Sequence, residues 1–84
     1  MTELMNIGFG NLVNTDKVIA IVTPDSAPAK RLVQSAKQKE SIVDATQGRK
    51  TRSILVMEQG RIVLSSLGTD TLANRFHELI GKKD

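Results

Sequence analysis

Lys17-Val18-Ile19-Ala20-Ile21-Val22-Thr23 is the stretch whose reading decides the fold. Its five central residues are all apolar, so no polar side chain alternates into water, and the pattern predicts a strand buried on both faces. Pro24 ends the run. Asp25 or Ser26 can cap the helix that follows, and Pro28 fits its first turn, where a missing N–H is no loss. Ala29, Leu32, Val33 and Ala36 recur at i, i+3, i+4 and i+7, predicting an amphipathic helix to about Glu40. Lys30, Arg31, Gln34, Lys37 and Gln38 fall elsewhere on its wheel.

Upstream, residues 4–13 (LMNIGFGNLV) read as a first strand broken or bent at Gly8 and Gly10, with a turn at Asn14-Thr15-Asp16. Gly8-Phe9-Gly10 lacks the third glycine of a dinucleotide loop, and no Gly-Lys-Ser/Thr follows, so a bulge or a close subunit contact is the better reading. Downstream, Ser41-Ile42-Val43 begins a short strand, and residues 54–57 (ILVM) and 62–64 (IVL) form two more. Gln59-Gly60 between them suits a two-residue type I′ connection, with Gln a poorer first residue than Asn or Asp. Thr69 or Asp70 caps a last helix with the stripe Leu72, Phe76, Leu79 and Ile80; Gly81 stops it, and Lys82-Lys83-Asp84 trails into solvent. His77 sits beside that stripe as a surface residue.

The result is one α+β domain over residues 1–84, in the order β-β-α-β-β-β-α, with a small mostly antiparallel sheet. Three of its strands are apolar on both faces, and one layer of two short helices covers a single face. The surplus apolar face, or an open edge, predicts burial by another copy and hence a homo-oligomer.

Composition narrows the function. With no cysteine, neither a disulfide framework nor a zinc-thiolate site can form, and one histidine with no carboxylates clustered about it predicts no metal site. Met1-Thr2-Glu3-Leu4 lacks the cationic start and apolar run of a signal peptide, and nothing is long enough to span a membrane, so a cytoplasmic protein is expected. Ser65 and Ser66 have no recognisable base, and Glu40 and Asp44 do not read as a paired acid and base; an enzyme is not expected, nor a cofactor.

Charge points elsewhere. From Lys30 to Arg52 seven cations face only Glu40 and Asp44, a local +5, while the rest of the chain carries −2. Within that span Asp44-Ala45-Thr46-Gln47-Gly48-Arg49-Lys50-Thr51-Arg52 gathers three cations and two threonines around one glycine, between two apolar segments. Guanidinium, ammonium and hydroxyl donors with a glycine that permits close approach make a phosphate grip. Trp and Tyr are absent, and Phe9 and Phe76 both have core roles open to them, so stacking on single strands is disfavoured and a duplex gripped by its phosphates is favoured.

Three blocks carry a family resemblance: Asn6-Ile7-Gly8-Phe9-Gly10-Asn11; Ile21-Val22-Thr23-Pro24-Asp25-Ser26-Ala27-Pro28 with Lys30-Arg31; and Asp44 to Arg52. Together they resemble the RemA family of bacterial extracellular matrix regulatory proteins. The resemblance implies a transcriptional regulator that binds double-stranded DNA, activates biofilm-matrix genes and assembles into a ring-like homo-oligomer. It places the DNA contacts on Lys17, Arg49 and Lys50, with Arg52 as a supporting cation. Lys17 and Lys50 stand where the pattern has arginines, which keeps charge and loses the planar fork. Two other readings predict different behaviour: an assembly module whose basic loop meets an acidic protein, and an RNA-binding accessory factor.

Overall fold

The computed structural model describes residues 3–81, and the predicted sequence of strands and helices holds with one refinement. The glycine-broken first strand is two strands, β1 (Leu4–Asn6) and β2 (Leu12–Asn14), folded into an antiparallel hairpin that forms a small sheet of its own. A short 3-10 turn over Thr15–Lys17 leads on, with Asp16 N–H donating to the Asn14 side chain at 2.9 Å. β3 (Val18–Val22), helix α1 (Ala27–Gln38), β4 (Ile42–Asp44), β5 (Ser53–Met57), β6 (Ile62–Ser65) and helix α2 (Thr69–Gly81) complete the chain. The main sheet has the order β3-β5-β6-β4; its pairs are antiparallel except β4 with β6, which run parallel. Lys82-Lys83-Asp84 lies outside the described residues.

Ser26 caps α1: its hydroxyl accepts from Ala29 N–H at 3.2 Å, and Pro28 lies in the first turn. The helix ends at Gln38, slightly short of the expected Glu40, because Glu40 adopts a left-handed φ of 55°. Ser41 N–H then bonds Ala36 C=O and Glu40 N–H bonds Lys37 C=O, the paired closure that satisfies orphan carbonyls at a helix end. At α2 the expected caps Thr69 and Asp70 lie inside the first turn; Gly68 C=O accepts the first helical bond, from Leu72 N–H. Gln59 (φ 66°) and Gly60 (φ 73°) are both left-handed, as a type I′ connection demands, although the turn takes in Glu58 and spans three residues.

The apolar strands divide cleanly between two cores. Leu55, Val63, Val18 and Ile21 point to a face closed by Met5, Ile7 and Val13 from the hairpin and by Leu72 and Leu79 from α2. Ile54, Val56, Ile62, Leu64 and Val22 point to the other, closed by Ala29, Val33 and Ala36 of α1. Successive residues of β5 therefore serve opposite cores, which is why the segment shows no polar alternation. Burying Ile54 and Leu55 contributes about 1.5–3 kcal/mol each.

This arrangement corrects the covering argument made from sequence. The helices do not share a layer; they lie on opposite faces, and the β1–β2 hairpin finishes the α2 side. Among the described residues, each face of the main sheet therefore carries a core of its own. The predicted stripes also lose members: Leu32 of α1 and Phe76 and Ile80 of α2 are exposed. On the main sheet the large apolar residues left open are at the edges, Ile19 of β3 (66% exposed) and Val43 of β4 (58% exposed); Leu4 and Leu12 of the hairpin are open as well.

Candidate nucleic-acid interface

Strand order forces the basic loop into its position. β5 lies on the far side of β6 from β4, so the chain leaving β4 must cross the end of β6 to reach it. Residues 45–52 are that crossover. Both ends are stitched to the strand beneath: Ala45 N–H donates to Leu64 C=O at 3.0 Å, and Arg52 N–H to Ser65 C=O at 2.9 Å. Asp44 accepts from both Thr46 N–H (2.9 Å) and the Thr46 hydroxyl (2.6 Å), and Thr46 is buried. Thr46 C=O in turn accepts from Arg49 N–H at 3.0 Å across Gln47 (φ 55°) and Gly48 (φ 78°). Left-handed backbone at both central residues with this closing bond is type I′ geometry. The loop is thus a clamped, hydrogen-bonded turn, and its cations project from a fixed base.

The hydrogen bonds from Thr46 hold the Asp44 carboxyl below its ordinary value, the hydroxyl contributing most; partial burial opposes this, and Lys37 adds a weaker favourable charge.

A second turn of the same kind stands beside the first. Gly8 C=O accepts from Asn11 N–H at 3.0 Å across Phe9 (φ 55°) and Gly10 (φ 78°), and Ile7 N–H closes the outer ring onto Asn11 C=O. The Asn11 amide bonds Gly8 C=O at 3.0 Å and reaches Ala45 C=O at 3.5 Å, tethering the two turns. Beneath them Ser65, fully buried, donates to Ile7 C=O at 2.8 Å, and Ser53 donates to Leu67 C=O. These serines are structural fasteners.

Between the turns lies a recess of about 370 Å³ lined by Phe9, Arg49, Lys50, Arg52 and Ser66. Three of the four expected contact residues therefore converge. Lys50 and Arg52 also border a neighbouring hollow of about 490 Å³ that reaches Thr23 and the first turn of α2. Lys17 does not join them. It lies beside Met57, at the opposite end of β5 from Arg52, where it pairs with Glu58 at 3.4 Å. Five residues of strand, roughly 17 Å, separate the two ends. Both partners of that pair are well exposed, so it stabilises little and leaves the ammonium available.

Sequence reasoning missed Phe9 and Ser66. Phe9 had a core role open to it on paper, yet the side chain is 54% exposed. The available signal was the pair of flanking glycines, since a phenylalanine between them sits on a turn tip as readily as in a core.

The profile of the RemA-like family, described as extracellular matrix regulatory protein A-like, matches residues 4–76. The chain belongs to this family. A relative from Lachnoclostridium phytofermentans, named "Putative regulatory protein", is 54% identical over 78 residues, covering 93% of this chain and 86% of its own. Relatives of the same name from Fervidobacterium nodosum and Synechococcus sp. are 54% and 49% identical, over 93% and 89% of this chain and 84% of theirs. Family and names support a regulatory role, and the matched span includes both turns and all four expected contact residues. Among the described residues of this RemA-like chain, no helix is long and apolar enough to cross a membrane.

Proposed function

We propose that this RemA-like protein is a DNA-binding transcriptional regulator of the class that activates extracellular-matrix genes, and that it grips duplex DNA through the crossover loop. The observation that carries the reading is the recess in which Arg49, Lys50 and Arg52 converge, on a hydrogen-bonded backbone, with no acid among its lining residues. Phosphate contacts of this kind position a protein on DNA, and a backbone already clamped by hydrogen bonds spares the cost of ordering the loop. Arg49 and Arg52 offer planar forks for bidentate phosphate contact, whereas Lys50 and Lys17 act as point charges.

The same reading has the subunits assembled in a homo-oligomer, ring-like if head-to-tail contacts close. Its support is at the edges of the main sheet, where β3 and β4 each end the sheet and each carry an exposed β-branched residue, Ile19 and Val43. One subunit brings few cations; a symmetric row multiplies them and can hold bent DNA.

Anisotropy titrations of a labelled duplex over rising salt test the proposal. Each phosphate neutralised contributes about −0.9 to the slope of log K against log salt. Arg49→Ala with Lys50→Ala should flatten that slope by about 1.8 and weaken binding on every duplex alike. Absence of binding at low salt, or an unchanged slope in the double variant, would sink it. A preference for RNA of equal length would favour an RNA-binding role instead.

A further inference from the structure

The exposed aromatic in the recess has no part in a pure phosphate grip. Phe9 is the one large apolar residue there, it keeps 54% of its surface open, and its backbone is left-handed at φ 55°. A bulky side chain at such a φ is an outlier that persists only where the surroundings over-determine it. Here they do. Gly8 N–H bonds the Asn6 side chain at 2.7 Å, Asn11 closes the turn from both its backbone and its amide, and Ser65 holds Ile7 from below. The fold spends a well-bonded turn on holding a phenyl ring in water. Its other recess neighbours are Arg49, Lys50, Arg52 and Ser66, a polar and cationic setting that does not suit an apolar protein surface. An occupant with a flat apolar face and an adjoining negative charge suits both, and a nucleotide within DNA has that chemistry.

We infer that Phe9 is a wedge that inserts at a base step of the bound duplex while Arg49, Lys50 and Arg52 hold the phosphates beside it. The inference rests on the DNA-binding reading above and adds to it a contact that phosphates alone do not make. Apolar wedges of this kind partly unstack a step and kink the helix, most easily at flexible pyrimidine–purine steps. The site therefore selects for deformable sequence without reading a base edge. A second copy of this chain covering Phe9 is the competing occupant, and the test separates the two.

Phe9→Asn keeps a residue that tolerates the left-handed turn and removes the ring. Expected is a fall in duplex affinity of roughly 5- to 150-fold, the range for losing one base–aromatic stack. The salt slope should stay as in the unmodified protein, because no phosphate contact is lost. Assembly size by light scattering should also be unchanged. Phe9→Trp supplies the sole tryptophan of the chain, and its emission should be quenched as duplex is added, with the largest effect on sites carrying a central TA step. Equal affinity of Phe9→Asn, a changed assembly size, or Trp emission indifferent to saturating duplex would overturn the wedge. So would quenching by free dAMP alone, which would make the recess a site for a small nucleotide. If the unmodified protein binds with a salt slope and Phe9→Asn matches it, only the wedge falls; if the unmodified protein does not bind, both readings fall.

Discussion

Asp44 and Thr46 show how one pair of side chains fixes the basic loop. The Thr46 hydroxyl and amide both donate to Asp44, and that hydroxyl has been taken out of water with the rest of a side chain only 2% exposed. Asp44→Ala strands these donors and should lower stability by about 1–3 kcal/mol at pH 7, read by urea unfolding followed by circular dichroism. Acid should act through the same residue. Because the folded carboxyl lies below its ordinary value of 3.8, its contribution is complete above that pH and is lost as pH falls through the lower folded value. Stability should therefore drop below about pH 4 in the unmodified protein, and this part of the drop should be missing in Asp44→Ala. An identical acid limb in both would show that the carboxylate does not hold the turn.

At the level of elements, the turns repeat one device. Phe9-Gly10, Gln47-Gly48 and Gln59-Gly60 all place two successive left-handed residues, the first of them not glycine. Only Gln59-Gly60 was legible beforehand as a tight turn, because apolar strands adjoin it closely on both sides; Gln47-Gly48 lies inside a longer polar loop, and Phe9-Gly10 inside a glycine-rich segment that reads as one bent strand. Glu40 is a fourth left-handed residue other than glycine, at the end of α1, and it carries a side chain where helices favour glycine. The left-handed region penalises an L side chain by roughly 1–2 kcal/mol, so Glu40→Gly should stabilise the protein by up to about 1 kcal/mol after the added freedom of its unfolded chain is discounted. For a domain of this size a gain of 1 kcal/mol raises the melting temperature by about 4–8 °C. A lower melting temperature would mean that the Glu40 side chain makes a contact worth more than the strain. Helix α1 was the more readable: cap, proline and stripe all fall as the sequence placed them, and only Leu32 turns outward, whereas α2 begins at its expected cap and keeps only Leu72 and Leu79 of its stripe inside.

Over the whole molecule, the separation of Lys17 from the crossover loop constrains the proposed DNA contact. Roughly 17 Å of strand is about half a helical turn of duplex, so under the proposed reading one subunit's Lys17 and its loop would reach phosphates across a groove, or else Lys17 would join the loop of a neighbouring subunit. Assembly decides between them. Light scattering should give a mass well above the 9.2 kDa of one chain, and a charge at a sheet edge, Ile19→Lys, should return it toward that value with helix and sheet content preserved. The dispersed variant should bind duplex more weakly and with a shallower salt slope, since each particle then presents a single loop. A full-length chain that runs as a monomer, or an assembly indifferent to Ile19→Lys, would remove the edge contact from the proposal.

Sequence alone determined what is local. Apolar runs, a serine cap, glycines at turns and a cluster of cations are each set by neighbours within a few residues, and these gave the elements, their order and the loop that carries Arg49, Lys50 and Arg52. Tertiary structure decided what depends on strand order and on which face each helix covers. Two apolar faces on β5 fit equally a sheet with helices on both sides and a sheet half-covered by another copy; only the division into two cores separates them. Likewise the sequence set Phe9 and Arg49 forty residues apart, and no spacing rule joins them. They meet because the chain from β4 must cross β6 to reach β5, and that crossover passes beside the hairpin turn to which Asn11 ties it.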